Sequence, residues 1–208
     1  MAYTRLGQTK KAIDFFLQEL DIAKESDDSK EQCSLLANLG DAYAILGKLD
    51  QARKYFEEQK ALAREKGHSA FIGSSYNGLG YVYVKQNKIE KAIDCYLKAL
   101  ASYRQQKDHD KELELLVGIG LNYQKLGQYE PATAFFVQAL ATAKYVENRK
   151  EEAHILIDLA EAYYQLRDTE HLKPILKQAK ELLDMRDAVW TPSLKNRLNI
   201  LKGSFNPH

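Results

Sequence analysis

The stretch Leu39-Gly40-Asp41-Ala42-Tyr43, followed by Leu46-Gly47, Ala52 and Tyr55-Phe56, is the template from which the chain is copied. Its tyrosine recurs as Tyr3, Tyr83, Tyr123 and Tyr163, always in steps of 40 residues. The Leu-Gly pair recurs in the same frame as Leu79-Gly80 and Ile119-Gly120, and then as Leu159-Ala160. Downstream, Ala12, Ala52, Ala92 and Ala132 form one column, and Phe16, Phe56, Tyr96, Phe136 and Leu176 another. Self-similarity at a fixed period of about 20–50 residues marks a stacked array, in which each unit buries its apolar face only against its neighbours.

Within each copy the apolar residues are spaced by three and four, as in Ala12, Phe15, Phe16, Leu20 and Ala23, which is the period of one helix face. The spacing predicts helices near 9–24, 30–46, 49–65, 70–86, 89–105, 110–126, 129–145, 150–166 and 169–184. They pair as 30–65, 70–105, 110–145 and 150–184, after a partial repeat over 1–24, in one elongated domain over 1–208. Gly47 sits where a helix C-terminus favours glycine, and Asp50 where the next start favours a cap. Glycine inside a helix costs about 1 kcal/mol relative to alanine. Gly40, Gly80 and Gly120 therefore predict a compensating close approach, with Ala52, Ala92 or Ala132 of the paired helix against the bare backbone.

Two prolines bear on the same reading. Pro131 falls in a first turn, where the missing N–H is tolerated, whereas Pro174 lies deeper and predicts a late start or a kink. Thr191-Pro192 supplies the cap and first position of a last helix over 191–202. That helix is placed to cap the final pair, with Trp190 and Leu198 covering it and 203–208 left as a tail. Met1 stands at the column of Asp41, so the chain starts halfway through a helix and reads as a fragment of a longer array.

Charged residues make up 28% of the chain and the net charge is +1, which excludes nucleic-acid binding through a basic surface. Cys33 and Cys95 lie in helical patterns far from any disulfide or metal-ligand spacing and read as reduced, partly buried thiols. No apolar run approaches the ~18 residues of a membrane span, and Arg5, Lys10 and Lys11 interrupt any secretory signal. The expectation is a soluble cytoplasmic protein with no membrane contact. His68, His109, His154, His171 and His208 are scattered, and no H-E-x-x-H or Cys/His pair stands at ligand spacing. His154 and Asp158, four apart, read as a local polar contact. The expectation is therefore no enzyme, no metal and no cofactor.

The columns Leu39-Gly40, Tyr43, Leu46-Gly47, Ala52 and Phe56 resemble the tetratricopeptide repeat, L-G-x-x-Y, then A, then F or Y, from Tyr3 to Leu176. The period of 40 in place of 34 resembles a longer subclass found in the GoLoco-containing G-protein-signalling modulators, kinesin light chains and bacterial regulators. The resemblance implies an all-α fold, a right-handed superhelical solenoid of antiparallel helix pairs whose first helices line a concave groove. It also implies protein or peptide binding there, by Ser34, Asn38, Asp41, Ser74, Asn77, Tyr81, Glu114, Leu121, Gln124, His154, Glu161 and Tyr164. The carboxylate clamp of chaperone-binding members is absent, since Ala37, Asn77 and Val117 stand at its positions. An amide pair of Asn38 and Asn77 beside Tyr81 and Leu121 suits an extended or helical segment held by backbone hydrogen bonds and apolar anchors.

Two functions follow from the resemblance: an interaction scaffold, or the peptide-sensing regulatory domain of a longer signalling protein. Tyr3, Leu6, Phe15 and Phe16 lack a covering helix and predict self-association through the N-terminal end.

Overall fold

The computed structural model describes residues 2–184 and 192–205, and these form ten α-helices and no strand. The side chains of Tyr3, Leu6 and Trp190, on which two of the expectations above rest, lie outside the described residues. The helices are α1 (Ala2–Glu25), α2 (Ser29–Ile45), α3 (Leu49–Glu65), α4 (Ser69–Lys85) and α5 (Ile89–Gln106), then α6 (His109–Lys125), α7 (Tyr129–Tyr145), α8 (Arg149–Gln165), α9 (Thr169–Asp184) and α10 (Pro192–Phe205). They follow one another in consecutive pairs, the all-α array that the repeat columns predict. The chain divides into two compact units, Met1–Lys107 with α1 to α5 and Asp108–His208 with α6 to α10.

The connectors from α1 to α9 share one backbone feature. One residue takes a left-handed backbone, and these residues fall at Asp27, Gly47, Gly67, Asn87, Lys107, Gly127, Glu147 and Arg167, twenty apart. At all of them but Lys107 the next N–H then reaches back to a carbonyl in the last turn of the helix, as from Lys48 to Tyr43 (2.9 Å), His68 to Ala63 (2.7 Å) and Gln128 to Tyr123 (3.0 Å). This is the Schellman closure, which satisfies carbonyls that a helix end leaves open. The 40-residue period is thus two equal half-periods, and both turns of a hairpin have one geometry.

In the first unit the core runs through Leu39, Phe56, Leu79 and Val82, all nearly inaccessible. In the second it runs through Leu116, Ile119, Phe136, Ile155, Leu156 and Leu159, and closes on Leu172 of α9 and on Leu194 and Leu198 of α10. Burying a side chain of this size stabilises by about 1.5–3 kcal/mol. In three hairpins the repeating tyrosine stacks on the paired helix: Tyr43 on Tyr55 at 5.3 Å, Tyr123 on Phe135 at 5.6 Å and Tyr163 on His171 at 5.3 Å. Cys33 is fully buried, and burial pushes its thiol up to about 11.

Three local expectations need correction. The helix-interior glycines face the aromatic column and not the alanines. A Cβ on Gly40 would stand 2.6 Å from the Phe56 ring, one on Gly80 2.5 Å from Tyr96, and one on Gly120 2.6 Å from Phe136. Phe56 is enclosed from both sides, because a Cβ on Gly78 of α4 would also meet its ring, at 2.4 Å. Ala52, Ala92 and Ala132 are themselves fully buried, at 0% exposure. The first helix begins at Ala2 instead of near residue 9, with Gly7 in its interior although Gly47 in the same column ends α2. Pro174 does not delay α9, which starts at Thr169 behind an Asp168 carboxylate accepting the His171 N–H at 3.1 Å.

Candidate partner-binding faces

In the first unit, α2 and α4 present six of the predicted contact residues. Asn38 and Asp41 are exposed and, with Thr9, Ala12 and Phe16 of α1 and Ile45 of α2, line a cleft of about 670 Å³. Ser34 is turned onto its own helix, its hydroxyl donating to the Lys30 carbonyl at 3.1 Å. Tyr81 keeps 42% of its surface exposed with the Lys85 ammonium over its ring at 5.2 Å. Asn77 and Ser74 are half-buried beside it.

Ser74 leads to a residue that the sequence reading missed. Gln59 of α3 is wholly buried and its amide nitrogen reaches the Ser74 hydroxyl at 3.5 Å, while its carbonyl oxygen has no protein partner. The signal was present, because Gln59 stands in a column that Ala99, Ala139 and Ala179 fill in the later repeats. A large amide in a small-residue column beneath the α4 face makes that face polar from below as well as from above. Tyr76 is a second departure, in the column of Leu36, Leu116 and Leu156. Its hydroxyl accepts from Arg64 at 2.6 Å and its ring lies under Lys60 and Lys98 at 5.4 and 5.5 Å.

The second unit differs in chemistry. On α6, Glu114 pairs with Lys111 at 2.7 Å, Leu121 is 38% exposed and Gln124 is half-buried. On α8, the His154 ring contacts the Lys150 carbonyl at 2.9 Å, so its main partner is the helix backbone and not Asp158. Asp158 and Glu161 instead meet Arg197 of α10. The guanidinium donates to Glu161 from Nε at 2.8 Å and from Nη2 at 2.7 Å, and Nη2 also donates to Asp158 at 2.6 Å.

Burial pulls the Asp158 carboxyl above its ordinary range against the pull of Arg197, and the Glu161 hydrogen bonds hold the guanidinium charged. Sequence reading had no means of finding this clamp, since the register of α10 is not set by the repeat. Beside it a cleft of about 280 Å³ is lined by Gln124, Tyr129, Tyr164 and Ile200 among others. Of the twelve predicted residues, the structure gathers six on α2 and α4, three on α6 and three on α8. It ties Glu161 to the chain's own last helix.

Among the described residues no group of three or more His, Cys, Asp or Glu side chains could hold a metal ion. No helix among them is long and apolar enough to cross a membrane.

A family model described as tetratricopeptide repeat matches residues 1–65, 31–105 and 71–144. Among curated proteins no sequence matches significantly. Several solved structures share the fold. BtubC (BKLC) from P. vanneervenii is 18% identical with a TM-score of 0.79, over 91% of this chain and 78% of that one. The apo form of RapI is 15% identical with a TM-score of 0.82, over 100% of this chain and 57% of that one. A signal transduction ATPase with numerous domains from Pyrococcus horikoshii, which carries a tetratricopeptide repeat sensor, is 24% identical with a TM-score of 0.73, over 96% of this chain and 30% of that one.

Proposed function

The chain belongs to the tetratricopeptide repeat family, and from that premise we propose that it is a protein-interaction scaffold holding a peptide or partner domain on the first-helix faces of its repeats. The observation that carries this is the α4 face. There an aromatic ring, Tyr81, stands 42% exposed with Asn77 and Ser74 beside it on the same helix. Water-exposed aromatic surface next to amides fits a bound backbone and one apolar anchor: the amides pair with peptide N–H and C=O groups while the ring covers a side chain. Asn38 and Asp41 extend that chemistry onto α2.

The test begins with a displayed random-peptide library panned against the chain, and the selected peptides are titrated by calorimetry. Asn38→Ala with Tyr81→Ala should weaken them more than tenfold, since about 1.4 kcal/mol already corresponds to that factor. The thermal melt should be unchanged, because both side chains point away from the core. Unchanged affinity would place the peptides elsewhere.

Self-association belongs to the same proposal. Phe15, Ile22 and Ile45 are 56%, 57% and 67% exposed at the α1 and α2 end, a set of apolar side chains that pairing with a second copy would cover. Sedimentation velocity at micromolar concentration should show dimer, and Phe15→Ser should return it to monomer. A wild-type monomer under those conditions would end the idea.

A further inference from the structure

Arg197 singles out α8 from the other first helices. Its column partners show why: Asp158 is preceded in register by Asn38, Gly78 and Gly118, and Glu161 by Asp41, Tyr81 and Leu121. Only α8 carries two acids three residues apart at these positions, and both are turned onto one guanidinium. The helix that supplies it is amphipathic. Leu194, Leu198 and Leu201 are buried at 2%, 0% and 6% exposure, whereas Ser193, Lys195, Asn196 and Asn199 face out. The docking pattern is Leu-x-x-Arg-Leu-x-x-Leu, and α10 lays it chiefly on α8 and only slightly on α9.

A permanent cap has no need of such a clamp. Asp158 is buried at 9% side-chain exposure while Arg197 and Glu161 keep 33% and 29%; a buried carboxylate costs desolvation that an apolar residue of the same volume does not, so the use of the pair lies in specifying the partner and the register. A bidentate guanidinium–carboxylate fork is geometrically selective in a way that leucine contacts are not. The cleft beside α10, walled by Gln124 and Tyr164, reaches both Glu161 and Arg197 of the clamp.

We propose that the α8 face bearing Asp158 and Glu161 is a docking surface for an arginine-bearing amphipathic helix of a partner protein, and that α10 is the chain's own stand-in for that helix. The proposal rests on the interaction reading above and names its ligand class. The partner's helix presents the Leu-x-x-Arg-Leu-x-x-Leu order, exchanges with α10, and places its arginine on the two carboxylates.

The probe is a fluorescent peptide of residues 192–205, titrated against the full chain and against the full chain carrying Arg197→Ala. The variant's α10 is a weaker competitor, so it should bind the peptide at least tenfold more tightly than the unaltered chain. A peptide that itself carries Arg197→Ala should lose at least tenfold. Equal binding by the two chains, or indifference to the arginine, overturns the proposal.

Hydrogen exchange on the unaltered chain gives a second reading that needs no variant. The α10 amides should exchange at least tenfold faster than those of α8, and equal rates would mean that α10 never leaves separately, which also overturns it. If library peptides still require Asn38 and Tyr81 while the α10 peptide fails, this inference falls and the scaffold reading stands.

Discussion

Two glycines on one helix separate packing from propensity. Gly118 and Gly120 both lie inside α6, yet a Cβ added at Gly118 meets nothing within 4 Å, while one at Gly120 would stand 2.6 Å from the fully buried Phe136 ring. Gly118→Ala should therefore stabilise by about 0.5–1 kcal/mol, the helix-interior cost of glycine. Gly120→Ala should destabilise by about 1–3 kcal/mol through overpacking. Urea melts of the two variants check both signs, and the same sign in both would refute the distinction. The repeat columns made it legible that Gly120 needed a reason, but not that the reason was an aromatic ring. Column spacing says which residues share a face; which of two neighbours fills the space depends on side-chain direction, which spacing does not carry.

At the scale of the element, helix starts differ in how they are closed. Asp28, Asp108 and Asn148 accept N–H groups of the following turn, while Lys48, His68, Lys88 and Gln128 make no such bond. Asp108→Ala removes the acceptor of the Lys111 N–H, at 3.0 Å, and should cost about 0.5–2 kcal/mol. Lys88→Ala, at an uncapped start, should stay within about 0.5 kcal/mol. Chemical denaturation of the pair decides it. The elements themselves were legible almost throughout, because three- and four-residue spacing and the turn residues agree at each boundary; the expected 30–46 is found at Ser29–Ile45. The exception is α1, where Gly7 invites a break that the chain does not take, since a glycine ends a helix only when a left-handed turn follows it.

For the whole molecule, a linear array confines damage. Within each unit a helix packs on its near neighbours, so the loss from Gly120→Ala should be felt by α6, α7 and α8 and not throughout the chain. Hydrogen exchange followed by mass spectrometry should show faster exchange in Asp108–His208 and little change in Met1–Lys107; uniform acceleration would indicate a single cooperative unit. The candidate faces were less legible than the fold. Repeat register named the columns on the first-helix faces, yet Gln59 and Arg197 reach those faces from a second helix and from a segment outside the register.

The left-handed residues, one every twenty positions, have a further consequence. The joints share one left-handed residue, but the helices between them are not interchangeable, because from α2 to α7 one kind carries the glycine and the other the ring that it accommodates, while α8 and α9 hold Ala160 and Leu176 in those places. Growth or loss of the protein is therefore governed by parity. A block of forty spliced at two such joints restores the glycine–ring order, whereas a block of twenty would keep the joints and set ring against ring as far as α7. Gene duplication can lengthen or shorten this protein only in even steps.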